Sequence, residues 1–149
     1  MAITSTAAKV GNIFHLVGFI LGGEEFCVDI LKVQEIIRMV DITKMPNAPE
    51  YVEGVINLRG RVIPVVDLRN WFHLGESQEE EGSRRIVVAS INGVRIGLVV
   101  DQVSQVFKLP GDQVAPAPDA VKRKGSECIS GVGMMAEKLL ILLDLKTIY

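Results

Sequence analysis

Gly54-Val55-Ile56-Asn57-Leu58-Arg59-Gly60-Arg61-Val62-Ile63-Pro64-Val65-Val66-Asp67-Leu68-Arg69 returns 77 positions later, without a gap, as Gly131-Val132-Gly133-Met134-Met135-Ala136-Glu137-Lys138-Leu139-Leu140-Ile141-Leu142-Leu143-Asp144-Leu145-Lys146. Both copies open on Gly-Val, place a basic residue before an apolar run, and close on Asp-Leu-(Arg/Lys). A second pair of segments agrees: Gly23 to Ile36 matches Gly93 to Val106 at an offset of 70. Two matches in the same order mark an internal duplication, and a duplication decides architecture before any other feature. Residues shared by both copies serve the fold, whereas residues present in one copy are candidates for function. By that criterion the turn Asn57-Leu58-Arg59-Gly60 stands apart, because its counterpart is Met134-Met135-Ala136-Glu137.

Outward from these segments the chain reads as short strands punctuated by Gly and Pro. Residues 1–13 are small and polar without a period, as in a loose arm. Phe14–Leu21 and Glu25–Ile30 flank Gly22-Gly23, and Arg85–Ile91 and Arg95–Val100 flank Asn92-Gly93; each pair predicts a hairpin. Val33–Val40 is ambiguous, since Val33, Ile36, Ile37 and Val40 fit helical spacing but a further strand is equally open. Asn47 and Pro49 predict a short helix running to about Val55, and Ser126–Val132 resembles it. Ile56–Leu58 and Arg61–Leu68 form a hairpin around Arg59-Gly60, with Pro64 predicting an edge strand or a bulge. Gly75–Ser83, carrying Glu79-Glu80-Glu81, reads as a solvated linker. The sum is an all-β chain with a few short helices: two small pseudo-repeated barrels packed on a shared apolar core. The lobes span about 14–75 and 84–149, with the acidic loop 76–83 between them and an exchange of strands between lobes possible. Neither half buries enough alone.

Composition narrows function by exclusion. In 149 residues, 48% are hydrophobic, which excludes a disordered chain. The net charge is -2 and the 16 Lys and Arg are scattered, so the footprint of a nucleic-acid binder is missing. No apolar run approaches the roughly 20 residues of a membrane span, and no basic-then-apolar leader opens the chain. Cys27 and Cys128 are the only cysteines and lie far apart; Cys27, in an apolar strand pattern, reads as a reduced buried thiol, and the chain as a soluble cytosolic protein. The two histidines, His15 and His73, sit in apolar surroundings, where structural roles outweigh catalytic ones. No Cys/His spacing suits a metal, and neither a phosphate-binding loop nor a dinucleotide fingerprint appears. Asp67 and Asp144 are repeat equivalents that end strands and read as turn or capping residues, and Asp29 and Asp101 read the same way. A reaction would have to use His15, His73 or Cys128 at the seam between lobes, and their scatter speaks against it.

What remains is surface. Gly60 supplies the freedom of a tight turn, Asn57 can bond its own turn backbone, and Arg59 projects from between the strands. The residues alone leave two readings open: an ordinary hairpin with a solvated Arg, or an interface anchored by a planar guanidinium. Val33-Gln34-Glu35-Ile36 is the second candidate and the sheet edge implied by Pro64 the third.

Val33-Gln34-Glu35-Ile36-Ile37-Arg38, Pro46-Asn47-Ala48-Pro49, Gly54–Gly60, Val62–Arg69 and Gly97-Leu98-Val99-Val100-Asp101-Gln102-Val103, in this order, closely resemble the CheW family of bacterial chemotaxis coupling proteins, over about Phe14 to Tyr149. The resemblance implies two SH3-like five-stranded β-barrel lobes around a shared hydrophobic core, no catalysis and no cofactor. It implies an adaptor that bridges methyl-accepting chemoreceptor tips to the regulatory domain of the histidine kinase CheA, with other CheW copies as further partners in array rings. Carried onto this sequence, the receptor-binding residues are Val33, Glu35, Ile36, Asn57, Arg59, Gly60 and Val103; the kinase-binding residues are not assigned. The receptor tip is a helical hairpin, so an apolar groove receiving a helix is expected, with Arg59 at its rim. The expected location is the cytoplasm, at receptor clusters on the inner face of the membrane and without insertion into it. A chemosensory system with a non-flagellar output is the alternative setting. With neither kinase nor receiver sequence, the chain looks like the stand-alone form.

Overall fold

The computed structural model describes residues 13–74, 81–117 and 128–148, so residues 1–12 of the expected N-terminal arm and 75–80 of the expected linker lie outside the described residues, while Ile13 belongs to the first strand. Eleven strands run β1 Ile13–Leu21, β2 Glu24–Asp29, β3 Val33–Arg38, β4 Val52–Leu58, β5 Arg61–Asp67, β6 Arg85–Ile91, β7 Val94–Val100, β8 Gln102–Pro110, β9 Val114–Pro116, β10 Ile129–Met135 and β11 Lys138–Leu143. A one-turn helix, α1, covers Leu68–Trp71. They form a six-stranded sheet in the order β8-β1-β2-β11-β10-β9 and a five-stranded sheet in the order β3-β6-β7-β5-β4.

The register carries the duplication. In the second sheet β5 runs parallel to β7, with Val65 opposite Gly97; adding 77 and subtracting 70 gives Leu142 opposite Cys27, the observed β11–β2 pairing. Gly54 opposite Val65 becomes Gly131 opposite Leu142, and Ile36 opposite Val87 becomes Val106 opposite Val17. Each sheet draws on both halves of the chain. The β1–β2 hairpin joins β8–β11, and the β6–β7 hairpin joins β3–β5.

Packing follows the same two-fold logic. The central cluster takes Val17, Phe19, Leu21, Phe26 and Val28 from one sheet and Val87, Ala89, Ile91, Ile96 and Leu98 from the other. Phe19 against its equivalent Ala89 shows how a large and a small side chain share the space, which close packing demands. Phe14, Leu16, Phe107, Leu109 and Leu140 fill one barrel, and Ile56, Ile63, Val65, Ile86 and Val88 the other. Cys27 lies in the first barrel, where burial, with Glu25 adding to it, pushes its thiol up to about 12.

The shared Gly-Val has a backbone cause. The ladder slips between Val52 and Gly54, and again between Ile129 and Gly131. Gly54 sits at φ +153°, and a Cβ there would stand 2.2 Å from the carbonyl oxygen of Thr43. Asp67 accepts from the Arg69 N–H and Asp144 from the Lys146 N–H, as capping residues do.

Of the two readings open for Val33–Val40, the strand is the one observed over Val33–Arg38, where the segment pairs with β6. Three expectations are corrected. The helix expected from Asn47 is absent: Asn47 adopts φ +63° in a turn and β4 begins at Val52. Of its counterpart Ser126–Val132, the described part from Ile129 is strand β10. Pro64 is in neither an edge strand nor a bulge, since β5 lies between β7 and β4. Pairing with β7 starts only at Val65, so the N–H that Pro64 lacks is not needed on that side.

Candidate functional site

The β4–β5 connection has two central residues, Arg59 at φ +51° and Gly60 at φ +85°, the left-handed pair of a tight hairpin turn. Asn57 secures it by accepting the Gly60 N–H at 2.9 Å. The counterpart turn uses the same backbone with Ala136 at φ +52° and Glu137 at φ +66°. The two turns therefore share conformation and differ in chemistry, and only one projects a guanidinium.

Arg59 Nη2 donates to Glu35 Oε2 in an ion pair. Glu35 is on β3 and Arg59 follows β4, at opposite margins of the five-stranded sheet, so the pair closes that sheet into a barrel. Arg59 is 67% exposed and Glu35 31% exposed, so the pair presents its outer side to solvent. At the equivalent positions of the other barrel stand Gln105 and Ala136, which cannot form it. Beside the pair, Ile36 is 41% exposed on β3. Val33 and Val103, related by the repeat, both lean half-buried on the central core, one from each sheet. Thus Glu35, Asn57, Arg59 and Gly60 form one cluster, Ile36 extends it along β3, and Val33 and Val103 mark the seam between the barrels.

The other singled-out residues part company. Asp29 caps the turn after β2 by accepting the Leu31 N–H, but Asp101 does not share that role. Asp101 is fully buried at the single-residue crossover from β7 to β8. Its Oδ2 accepts from Arg69 Nη1 at 2.7 Å and from the Gly22 N–H at 3.0 Å. Arg69 also donates to the Leu74 carbonyl. This ion pair bolts the β1–β2 hairpin of one sheet to the helix after β5 of the other. No sequence signal announced it, because the repeat places an exposed Leu31 and an exposed Lys146 at the equivalent positions.

The three residues weighed for a reaction stand in different settings. His15 is exposed on β1, His73 is exposed after α1, and Cys128 is fully buried. Among the described residues no group of three His, Cys, Asp or Glu could hold a metal. An open hollow of about 250 Å³ is lined by Tyr51, Val52, Pro64, Val66 and Ile148, without a carboxylate, imidazole or thiol. No helix among the described residues is long and apolar enough to cross a membrane.

Fold and site together define a class: a duplicated pair of barrels with a shared core and one asymmetric, solvent-facing ion pair, which is the anatomy of a binding scaffold. The CheW-like domain family matches residues 15–149, and the chain belongs to that family. It is 39% identical to the chemotaxis protein CheW of Klebsiella aerogenes over 98% of this chain and 89% of that one. It is 34% identical to the chemotaxis protein CheW of Treponema pallidum, covering 91% and 82%. The crystal structure of the scaffolding protein TtCheW from Thermoanaerobacter tengcongensis superposes with a TM-score of 0.82 at 34% identity, covering 89% of this chain and 90% of that one.

Proposed function

We propose that this protein is a chemotaxis adaptor that couples the cytoplasmic tips of chemoreceptors to the histidine kinase CheA by binding alone, with no turnover of its own. The observation that carries the reading is the Glu35–Arg59 pair, built in one repeat and lacking in the other although the backbone of both turns is the same. A duplicated fold has no internal need for such a difference. A helix of the receptor tip would lie along Val33 and Ile36, with Val103 on the seam and Arg59 bonding at the rim. Kinase docking would be an apolar contact of barrel on barrel, for which Val62, Met134 and Leu139 stand exposed at the turn ends of the two lobes. Residence in the cytoplasm at receptor clusters, and contacts with further copies in array rings, belong to the same reading.

The test is co-sedimentation with receptor-containing membranes, with and without the cognate CheA, comparing wild type with Arg59→Glu. Wild type should pellet and recruit kinase while the variant does neither. Equal pelleting of both would remove the Asn57–Gly60 turn from the receptor site. No association of the wild type with receptor or kinase would overturn the adaptor reading.

A further inference from the structure

Two residues beyond Ile36, the outer strip of β3 ends in a like-charge rung. Arg38 lies directly opposite Arg85 of β6, as Ile36 lies opposite Val87. Directly opposed residues hold their Cβ atoms about 5 Å apart, and like charges so placed are destabilising. Nothing among the described residues neutralises the rung: the ion pairs of this region are Glu35 with Arg59 and Asp101 with Arg69, and neither Arg38 nor Arg85 takes part. Arg85 is held in place by backbone, its Nη1 donating to the carbonyls of Gly82 at 2.7 Å and Arg84 at 2.8 Å. Strand alternation puts Ile36 and Arg38 on one face, the face whose inner part, Val87, is buried in the central core.

We infer that Arg38 and Arg85 form a carboxylate clamp, which reads an acidic side chain on a helix lying along β3. This rests on the reading that a partner helix docks at β3, and adds to it the chemistry that selects the helix. Two residues of strand advance about 6.7 Å. Four residues of helix advance about 6 Å. The clamp therefore fits a helix carrying an apolar residue for Ile36 and an Asp or Glu four positions away on the same face. A planar guanidinium pair suits a carboxylate better than a lysine would. The other barrel repeats the rung in weaker form, with His15 opposite Lys108 beside the exposed Val106, which supplies an internal control.

The experiment is an NMR titration of the full chain with two helical peptides that differ only in Glu or Gln four residues from a leucine. It follows the Ile36 methyl and the Arg38 and Arg85 side-chain N–H signals. The Glu peptide should move all three and bind roughly tenfold tighter than the Gln peptide, which should move Ile36 alone. Arg38→Gln/Arg85→Gln should erase that difference, and Lys108→Gln, the same type of charge loss, should leave it intact. The clamp is overturned if the peptides bind equally, if Lys108→Gln weakens the Glu peptide as much, or if phosphatidylserine vesicles displace it from the same arginines. Peptide discrimination as expected, with wild type failing to sediment with receptor, would keep the clamp and discard the chemoreceptor as its partner. Arg59-dependent sedimentation without peptide discrimination would do the reverse.

Discussion

Replacing Asp101 by Leu tests whether one buried ion pair holds the two sheets together. The side chains of Arg69 and Asp101 are 6% and 1% exposed, and the carboxylate accepts from both Arg69 and the Gly22 N–H. Removing one member of a buried pair leaves an uncompensated charge at a cost of about 3–5 kcal/mol. Total stability for a domain is only about 5–15 kcal/mol. For a chain near 150 residues each kcal/mol lowers Tm by about 2–4 °C, so a drop of roughly 10 °C is expected. In Arg69→Met/Asp101→Leu both charges are gone, and what remains is chiefly the Gly22 N–H, which lies in an exposed turn and loses a hydrogen bond worth about 1 kcal/mol. Urea unfolding followed by fluorescence of Trp71, the single tryptophan, against the central core reports Asp101→Leu, Arg69→Met and the double variant. The reasoning is refuted if Asp101→Leu costs under about 1 kcal/mol, or if the double variant costs the sum of the two single ones.

Further outcomes follow from other features. Cys27, with its thiol raised from 9.0 to about 12, keeps its proton when folded at a pH where the unfolded chain loses it. Its contribution to stability is therefore present below about pH 9 and fades as pH rises toward 12, by up to about 1.4 kcal/mol per pH unit. Unfolding curves of wild type and Cys27→Ala at pH 8 and 10, in the sense of roughly two conditions spanning that onset, should converge at the higher pH. Gly54→Ala sets a Cβ against the Thr43 carbonyl, where no side chain can yield, and should cost more than about 2 kcal/mol in thermal or urea unfolding. Glu137→Gly relieves a left-handed residue that its repeat counterpart Gly60 accommodates freely, and should raise stability by about 0.5 kcal/mol by the same measurements.

The duplication was legible because a register of matched apolar positions is a linear signal. Once Gly54 aligns with Gly131, the strands, hairpins and Asp67 and Asp144 caps follow. Local propensity left Val33–Arg38 open between helix and strand and misread the segment after Asn47, where the decision belongs to strands distant in sequence. The asymmetric turn was visible as a difference between copies, but its partner Glu35 lies 24 residues away and meets Arg59 only when the sheet closes. The Arg69–Asp101 bolt was hidden for the opposite reason. It occurs once, joining one half of the chain to the other without a repeat equivalent, yet each residue alone fits a surface motif, Asp-Leu-Arg after a strand and Asp between two others. The like-charge rung of Arg38 and Arg85 was likewise invisible until pairing set them face to face.

The exchanged hairpins say something about how such a chain could come to exist and how it must fold. A half-length polypeptide with this pattern would leave its first two strands without a sheet, and could complete a barrel only by trading hairpins with a second copy. Fusing the copies replaces that encounter between molecules with one inside a single chain, at an effective concentration in the millimolar range. Neither barrel then owns all of its strands, so neither can melt while the other stands. A scaffold gains from that arrangement a single, shared threshold for failure.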